Sequence, residues 1–261
     1  MVHGLSSDAL ERGKILYEEG NHKFIWLGWS YKASGEVQAN QYLIVSDQEG
    51  ILLDPGGLHV FPFVVSRISI YTSLDKIKYI FFSHQDPDVS SGVGMLMNVC
   101  KNAKVFVSRL WVRFIPHFGF IDVSRIEPIP DRGMDIKLST STLKIIPAHF
   151  LHSEGNFSLY DPKSKILFSG DIGASVMPEG NIYFEVENFE NHIKYMEGFH
   201  KRYMKGQNVL RKWVSIVRKL DVEMIAPQHG AIMKGENVKK FLNWLENLKC
   251  GSDILDEIYG F

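Results

Sequence analysis

A short apolar run that leads straight into metal-capable side chains is the feature that most constrains this chain. Residues 79–82 are aromatic or β-branched, which is typical of a buried strand. His84, Asp86 and Asp88 follow at alternate positions, ahead of a turn of small residues. A rigid strand end can hold a loop whose side chains enter one crevice, as a polynuclear metal site requires. The same string also fits a solvated loop with an Asp-Pro turn, so this spacing alone leaves both interpretations open.

Candidate ligands recur at three further predicted strand ends, and they favour the metal site. Each of these strands runs into a histidine or an aspartate. They are a strand at 142–146 followed by His149 and His152, a hairpin over 157–169 followed by Asp171, and a short strand at 224–227 followed by His229.

The rest of the chain alternates predicted strands with predicted helices, which favours an α/β architecture. Strands are predicted at 24–29, at 41–45 and 51–53 as a hairpin, at 104–108, and within a β-rich stretch over 126–146. Apolar residues at helical spacing predict helices over 60–74, 92–99, 111–118 and 238–248, and two helices within 189–220 that are interrupted near Gly206. We expect residues 1–250 to form one domain, with 251–261 as a C-terminal tail.

Charge and cysteine content exclude several classes of function. With 29 Lys and Arg against 30 Asp and Glu, the net charge of −1 predicts neither a nucleic-acid nor a membrane partner. Cys100 and Cys250 lie outside any CxxC pattern, which argues against rubredoxin-type iron, c-type haem and a disulfide framework. The charged N-terminus lacks the apolar core of a signal peptide, and no apolar run reaches membrane-spanning length. A cytoplasmic location is the expectation.

The flanks of the candidate ligands resemble the metallo-β-lactamase superfamily over nearly the whole chain. They are Ile-Leu-Leu-Asp-Pro-Gly-Gly at 51–57, Phe-Ser-His at 82–84, Ser-Gly-Asp at 169–171 and Ala-Pro-Gln-His-Gly at 226–230. The resemblance implies a four-layer αββα sandwich. Zinc hydrolases of that superfamily usually carry HxHxDH at the first site, whereas this chain has Asp86 in the second place and Val89 in the last. A carboxylate in the second place is what flavo-diiron proteins have, so the chain resembles their diiron domain.

That resemblance implies two iron ions held by His84, Asp86, Asp88, His152, Asp171 and His229. In the family pattern Asp171 bridges the two irons. The remaining ligands of one iron are His84, Asp86 and His152, and those of the other are Asp88 and His229. Val89 leaves the second iron one imidazole short. Independently of the resemblance, three carboxylates and three imidazoles form a mixed oxygen and nitrogen set that suits iron better than a typical zinc site.

Other residues near the predicted site leave alternatives open. His149 and His152 compete for one ligand position; the family's Leu-His followed by a small polar turn matches His152, which leaves His149 to orient a ligand through its ring N–H. Tyr195, Tyr203 and Trp213 either line the iron pocket or belong to the core. The remaining histidines are interpreted as surface or packing residues: His3, His22, His59, His117, His192 and His200.

The resemblance implies a protein that binds dioxygen, as a peroxo adduct, for oxygen sensing or carriage, with chemotaxis as one such use. Flavo-diiron proteins continue into a flavodoxin domain, but no phosphate loop for FMN is visible in this sequence, so no FMN is expected. One alternative is an oxygen or nitric oxide reductase supplied with electrons by a separate flavoprotein. Another is a dinuclear metal hydrolase. Dioxygen, an external flavoprotein or signalling partner, and a second copy of the chain in a homodimer are the expected partners.

Overall fold

Two β-sheets pack face to face in this computed structural model, which describes residues 3–29, 38–120, 122–178 and 180–260. Among these residues, no helix is both long enough and apolar enough to cross a membrane. The architecture is α/β, because helices cover the outer face of each sheet.

The first sheet has seven strands in the same order as the chain. They are β1 Lys14–Glu19, β2 His22–Gly28, β3 Gln41–Ser46, β4 Glu49–Leu53, β5 Ile77–Phe81, β6 Lys104–Ser108 and β7 Ile126–Ile129. Strands β1 to β4 are antiparallel to their neighbours, and β4 to β7 are parallel. Parallel strands end at a common edge of the sheet, and β5 delivers its loop there.

The second sheet has six strands in the order β13-β12-β11-β10-β9-β8. They are β8 Met134–Leu138, β9 Ser141–Pro147, β10 Phe157–Asp161, β11 Ile166–Gly170, β12 Met224–Pro227 and β13 Met233–Lys234. Strands β11 and β12 are parallel, so their carboxyl ends lie side by side. The second sheet therefore also presents an edge at which loops from neighbouring strands meet.

The helices vary from single turns to four turns. They are α1 Ser7–Arg12, α2 Phe61–Tyr71, α3 Pro87–Ser90, α4 Val93–Val99, α5 Phe189–Tyr203, α6 Gln207–Val217, α7 Glu236–Asn247 and α8 Leu255–Tyr259. Short 3₁₀ helices lie at Leu58–Val60, Leu74–Lys76, Val112–Phe118, Val123–Arg125 and Gly251–Ile254.

Three apolar clusters separate the layers of the sandwich. One lies between the sheets and includes Trp26 and Phe168. A second joins the first sheet to α2 and α4, as with Val64 and Leu96. A third joins the other sheet to α5, α6 and α7 and contains Trp213. Three buried interfaces between four layers confirm the predicted αββα sandwich.

A buried polar network ties the two sheets together near the β3–β4 turn. The Nε2 of His22 on β2 lies 2.8 Å from Oδ2 of Asp161 on β10, and its Nδ1 lies 3.2 Å from Oγ of Ser141 on β9. Ser46 on β3 extends this network through its hydroxyl, 3.2 Å from that of Ser141. His22, interpreted from sequence as a surface or packing residue, is a buried packing residue whose partners lie more than 100 positions away.

Most predicted elements are confirmed, with small differences at their ends. The helix predicted over 60–74 spans Phe61–Tyr71, and the break between α5 and α6 lies at Met204 to Gly206. The helical piece predicted over 111–118 is a 3₁₀ helix, Val112–Phe118. Helix α1 and strand β1 were not separately predicted. Part of the N-terminal stretch lies outside the described residues, and the division at residue 250 stays a prediction.

Candidate metal centre

Six side chains converge from both sheets at one end of the sandwich. His84, Asp86 and Asp88 lie in the loop and short helix α3 that follow β5 of the first sheet. The second sheet contributes His152 after β9, Asp171 directly after β11, and His229 two residues after the end of β12. The four predicted strand ends are therefore all present and all face the same place.

One group of donor atoms surrounds Oδ2 of Asp171. The Nε2 atoms of His152 and His84 lie 3.0 and 3.8 Å from this oxygen. Oδ2 of Asp86 lies 3.6 Å from the same nitrogen of His152 and 3.7 Å from that of His84. His84, His152 and Asp171 thus direct single atoms toward a common point, and Asp86 lies beside the two imidazoles.

A second, smaller group surrounds the other oxygen of Asp171. Nε2 of His229 lies 3.5 Å from Asp171 Oδ1 and 3.2 Å from Oδ2 of Asp88. The two groups share only the Asp171 carboxylate, with one oxygen for each. This is the arrangement of a carboxylate that bridges two ions.

The donor set fits metal ions on two counts. Bonds of about 2.0–2.2 Å to one ion leave its donors about 3–4 Å apart, which matches the separations in both groups. In addition, Nε2 of His84 in the first group and Oδ1 of Asp171 in the second are buried and have no hydrogen-bond partner within the described residues. Buried polar atoms without partners are costly, and one ion in each group would give both atoms a partner.

Burial and neighbouring charges shift the pKa values of three of these side chains. Burial acts to raise the pKa of Asp171, but the nearby imidazoles of His229, His84 and His152 outweigh it and hold this pKa well below the usual range. For His229, burial acts to lower the pKa, yet the Asp171 and Asp88 carboxylates raise it to about 9. Burial lowers the pKa of His84. In the metal-free protein Asp171 is therefore ionised, and His229 carries a proton that a metal must displace.

The orientation of His84 is fixed by two buried residues that sequence reasoning did not select. Nδ1 of His84 lies 2.8 Å from Ser83 Oγ, and the Ser83 hydroxyl in turn donates to Asp54 Oδ2 at 2.5 Å. The backbone N–H of Ser83 donates to Asp54 Oδ1 at 2.7 Å. When the Ser83 hydroxyl donates to Asp54 in this way, Nδ1 of His84 is the donor to Ser83 Oγ, and the lone pair of Nε2 is left for a metal. Gly170, at φ +59°, allows Ser83 to lie against the strand end that carries Asp171.

The other two imidazoles are held differently. Nδ1 of His229 lies 2.8 Å from the carbonyl oxygen of Gln38, to which it donates. Nδ1 of His152 has no hydrogen-bond partner anywhere in the part of the chain that the structure describes; its ring is instead flanked by Phe199 and Tyr203, with centroids at 6.0 and 5.8 Å. Those two rings stack on each other at 4.8 Å. His152 is thus the imidazole whose far nitrogen remains open to a further contact.

Comparison with known proteins assigns the chain to a family. Residues 37–230 match the family model described as ODP family beta lactamase, which covers most of the chain. The chain belongs to the ODP family.

Two solved structures are similar to this ODP family chain over nearly its full length. A structure described as a peroxy diiron species of the chemotaxis sensor ODP is 54% identical, has a TM-score of 0.85, and is matched over 94% of this chain and 99% of that one. The apo state of the chemotaxis sensor ODP from T. denticola has the same identity and TM-score, with 94% of this chain and 98% of that chain covered.

More distant relatives are longer proteins. An uncharacterised protein of Methanocaldococcus jannaschii is 28% identical over 80% of this chain and 53% of its own length. The flavo-diiron protein FprA2 of Clostridium acetobutylicum is 24% identical over 76% of this chain and 50% of its own length. The ODP family chain therefore spans about half the length of the curated relatives it matches.

Two residues that the sequence singled out near the site have other partners in the structure of this ODP family member. Nε2 of His149 lies 2.7 Å from the Asp131 carbonyl oxygen, and its ring packs on Phe157 at 5.1 Å. Within the described residues, no hydrogen bond joins it to any of the six side chains, and its role in orienting a ligand stays a prediction. Val89 is fully buried in the apolar cluster beneath α2 and α4.

The aromatic candidates divide between the site and the core. Tyr203 flanks His152, as one of the two interpretations allowed. Trp213 lies in the core, where its Nε1 donates to Ser158 Oγ at 3.2 Å, and Tyr195 contacts the rings of Tyr183 and His192. Phe199 was missed, because a phenylalanine on an amphipathic helix gives no sign of which ring it will meet.

Proposed function

We propose that this chain is a non-haem diiron protein that binds dioxygen and acts as an oxygen sensor, with chemotaxis as the process it serves. The observation that carries the proposal is the Asp171 carboxylate, which offers one oxygen to each of two donor groups. The 54% identity to a structure described as a peroxy diiron species of a chemotaxis sensor supports iron as the metal and dioxygen as the ligand.

The six residues divide between two iron sites in this proposal. His84, Asp86 and His152 hold the first iron, Asp88 and His229 hold the second, and Asp171 bridges. A mixed set of three carboxylates and three imidazoles suits ferrous iron, which accepts both oxygen and nitrogen donors. The buried, partnerless Nε2 of His84 and Oδ1 of Asp171 are consistent with this assignment.

Residues around the centre fix the orientation of two of the proposed ligands. Ser83 and Asp54 hold the imidazole of His84 with its Nε2 lone pair facing the first group. Phe199 and Tyr203 pack edge-on against the ring of His152 and restrict its orientation. When bound, two ferrous ions supply two electrons to dioxygen, whereas its reduction to water takes four.

Reduction of dioxygen to water requires two electrons from an external donor, whereas oxygen sensing does not. No FMN site is expected in this chain, and its two cysteines lie outside any CxxC pattern. An oxygen or nitric oxide reductase supplied by a separate flavoprotein is the second candidate, because the curated relatives include the flavo-diiron protein FprA2 and an anaerobic nitric oxide reductase flavorubredoxin from Vibrio vulnificus. A dinuclear hydrolase is the third candidate, and Asp86 in place of the usual histidine argues against it.

The finer parts of the proposal concern partners and place. A signalling partner receives the oxygen signal, or an external flavoprotein supplies electrons to the irons. The chain forms a homodimer. The protein works in the cytoplasm. Two buried cysteines without a disulfide, Cys100 and Cys250, support a reducing compartment.

The deciding experiment measures metal and dioxygen together. The chain, purified anaerobically from iron-supplemented cells, should contain close to two irons and little zinc. Exposure to oxygen should give a Raman band that shifts with oxygen-18. Two zinc ions with hydrolytic activity, or no isotope-sensitive band, would overturn the proposal.

A further inference from the structure

A surface groove of about 630 Å³ lies beside strands β6 and β7 of the first sheet. One wall is the segment that follows β6, and the other is the chain that leads into β7 and through it. Two arginines, Arg109 and Arg113, contribute to the lining. The other lining residues are apolar: Leu110, Val112, Pro116, Val123 and Pro128. None of these residues is a candidate metal ligand, so the groove is separate from the metal centre.

Large apolar side chains are open to water at this groove. Leu110 and Val123, from opposite walls, are 46% and 56% exposed, and the adjacent Phe114 is 40% exposed. Single exposed apolar residues are common, but three around one groove form a patch of the kind that marks an interaction site. The groove is therefore suited to a partner that brings apolar side chains of its own.

The two arginines of the groove have no anionic partner within the part of the chain that the structure describes. Both are exposed, and the guanidinium of Arg113 lies over the ring of Phe114, 5.1 Å from its centroid. Arg125, by contrast, uses its guanidinium within the fold and donates to three backbone carbonyls. Because guanidinium groups pair with carboxylates through two parallel hydrogen bonds, Arg109 and Arg113 are available to the carboxylates of a partner.

The surrounding sequence has the same sign of charge. Residues 101–132 contain six Lys and Arg against three Asp and Glu, a net charge of +3, whereas the whole chain carries −1. Two of these three acids have partners of their own, since Glu127 pairs with Lys104 and Asp122 accepts from the backbone N–H of Ser124. No carboxylate lines the groove. The local field thus favours an acidic partner.

We propose that this groove binds an acidic amphipathic helix of a partner protein. The apolar face of the helix covers Leu110 and Val123, and carboxylates along the border of that face pair with Arg109 and Arg113. Specific recognition of this kind commonly depends on arginine at the centre of an interface.

Two other kinds of occupant fit the groove less well. An added strand is disfavoured, because Pro128 on the edge strand β7 has no backbone N–H to donate. A bilayer is disfavoured because a flat surface does not fill a groove, and two arginines supply little attraction to anionic lipid.

The groove wall also touches the loop that carries His152. Gly155, three residues after His152, packs against Ser108 and Trp111: a side chain at position 155 would collide with Ser108 Oγ and place its Cβ 3.0 Å from Trp111 Nε1. Arg109 lies between these two contacts in the chain. A helix in the groove therefore contacts the segment against which the His152 loop packs. A signalling role for this contact rests on the proposed oxygen sensing, whereas binding of the helix does not.

The test measures binding of two designed peptides to the metal-free protein by fluorescence anisotropy. Each peptide is a helix of about 15 residues with Leu at helical spacing on one face. One carries Glu beside that face, and the other carries Lys at the same positions. The wild type should bind the Glu peptide at least about tenfold more tightly than the Lys peptide. Arg109→Glu with Arg113→Glu should reverse this preference, which a variant that merely failed to fold would not do.

Two further variants separate charge from apolar contact. Lys212→Glu with Lys219→Glu makes the same change in net charge at exposed positions away from the groove, and it should keep the wild-type preference. Leu110→Gln with Val123→Gln should weaken the binding of both peptides, because less apolar surface is then covered.

Several results would overturn the proposal. They are equal binding of the two peptides by the wild type, and an unchanged preference after the arginine exchange. Arginine-dependent binding to phosphatidylcholine vesicles that contain phosphatidylserine, with no binding of either peptide, would make the groove a membrane contact instead. An arginine-dependent change in sedimentation would assign it to a second copy of the chain. Because every measurement is made without iron, these outcomes leave metal and dioxygen binding as separate results.

Discussion

At the scale of the residue, Asp171 is the side chain on which both donor groups depend. Its two oxygens face different groups, 3.0 Å from His152 Nε2 and 3.5 Å from His229 Nε2. Removal of this carboxylate takes a ligand from each ion, whereas removal of Asp88 affects only the group around His229.

We therefore expect Asp171→Ala to lose both irons and Asp88→Ala to retain close to one. Metal content after anaerobic loading and gel filtration checks this, with circular dichroism to verify folding. Retention of one firmly bound iron in Asp171→Ala would show that this carboxylate does not bridge.

Ser83 offers a test of orientation that leaves every proposed ligand in place. Ser83→Ala removes the hydroxyl that links His84 Nδ1 to Asp54, so the imidazole is free to turn and to change its tautomer. Loss of such an outer hydrogen bond lowers metal affinity by about 10–100-fold. Competition with a chelator measures this; Ser69→Ala, an exposed serine on α2, is the control and should have the wild-type affinity. Equal affinities of the two variants would rule out the role of Ser83.

Val89→His tests the position at which the chain departs from the family pattern. Because Val89 is fully buried in an apolar cluster, a polar ring there should cost the metal-free protein about 1–3 kcal/mol of unfolding free energy. If the imidazole reaches the second iron, ferrous iron restores this loss and binds more tightly. Val89→Thr has a similar shape but no imidazole, so iron should not rescue it. Thermal unfolding of both variants with and without iron distinguishes them, and equal rescue would place residue 89 outside the site.

The six candidate ligands could be selected from sequence because each follows a strand end and matches a family flank. Their convergence is seen in the structure, and their role as iron ligands stays a prediction. Asp54 was visible only as part of the Asp-Pro-Gly-Gly flank, since its partner Ser83 lies 29 positions away. Hydrogen bonds of that kind depend on which strands become neighbours, and a single sequence does not carry that information locally.

At the scale of the element, helix α5 supports the loop that carries Asp171. His200, in its last turn, donates from Nδ1 to the Met196 carbonyl at 2.8 Å and accepts at Nε2 from the backbone N–H of Gly173 at 3.0 Å. Gly173 lies two residues after Asp171. The ring must be neutral to make both bonds, and burial lowers the pKa of His200 to about 4. His200 was interpreted as an ordinary residue because its partner is a backbone group.

This buried imidazole predicts a loss of stability in mild acid. With a pKa near 6.5 in the unfolded chain and about 4 in the folded one, the unfolded state binds the proton first as pH falls. The free energy of unfolding should therefore decrease from about pH 6.5 toward pH 4, by about 2 kcal/mol at pH 5 for this group. Urea unfolding of the metal-free protein at pH 7.5 and 5.0 measures the decrease.

His200→Gln is the matched comparison, because glutamine does not titrate. The variant should lose about 2 kcal/mol less than the wild type between the two pH values. An equal loss in both proteins would assign the acid sensitivity to other groups, such as His192, whose pKa is also lowered to about 4 by burial.

Element types were more predictable than element ends. The hairpins β3–β4 and β10–β11 followed from alternating apolar runs with polar turns, and helix α7 from its apolar spacing. Strand β1 was missed because each of its six residues is half-buried or exposed, so its sequence, Lys-Ile-Leu-Tyr-Glu-Glu, lacks a clear apolar face. Its pairing with β2 comes from tertiary context, which local pattern does not contain.

At the scale of the whole molecule, the main question is how long dioxygen stays on the reduced centre. The chain by itself offers two electrons from two ferrous ions, and full reduction needs four. We expect the coloured product of mixing the reduced protein with oxygen to persist for minutes or longer. Stopped-flow absorption, with Raman spectra on oxygen-18, measures its lifetime.

Decay within milliseconds, together with continuous oxygen consumption after addition of a flavoprotein and NADH, would make the chain the terminal half of a two-protein reductase. A control without the flavoprotein distinguishes oxygen consumed by the electrons of the two ferrous ions from oxygen consumed by electrons that the flavoprotein supplies. A long-lived product in the absence of flavoprotein is the outcome that sensing requires.

The six donors come in equal numbers from the two sheets, three from the loop after β5 and three from the ends of β9, β11 and β12. Iron at this edge would clamp one sheet to the other, and the metal-free chain has instead an unclamped end of clustered charge. Binding that favours only the closed form stabilises it by mass action. The survival of the protein in a cell would then follow the supply of iron, and iron-starved cells would degrade the chain before it could report on oxygen.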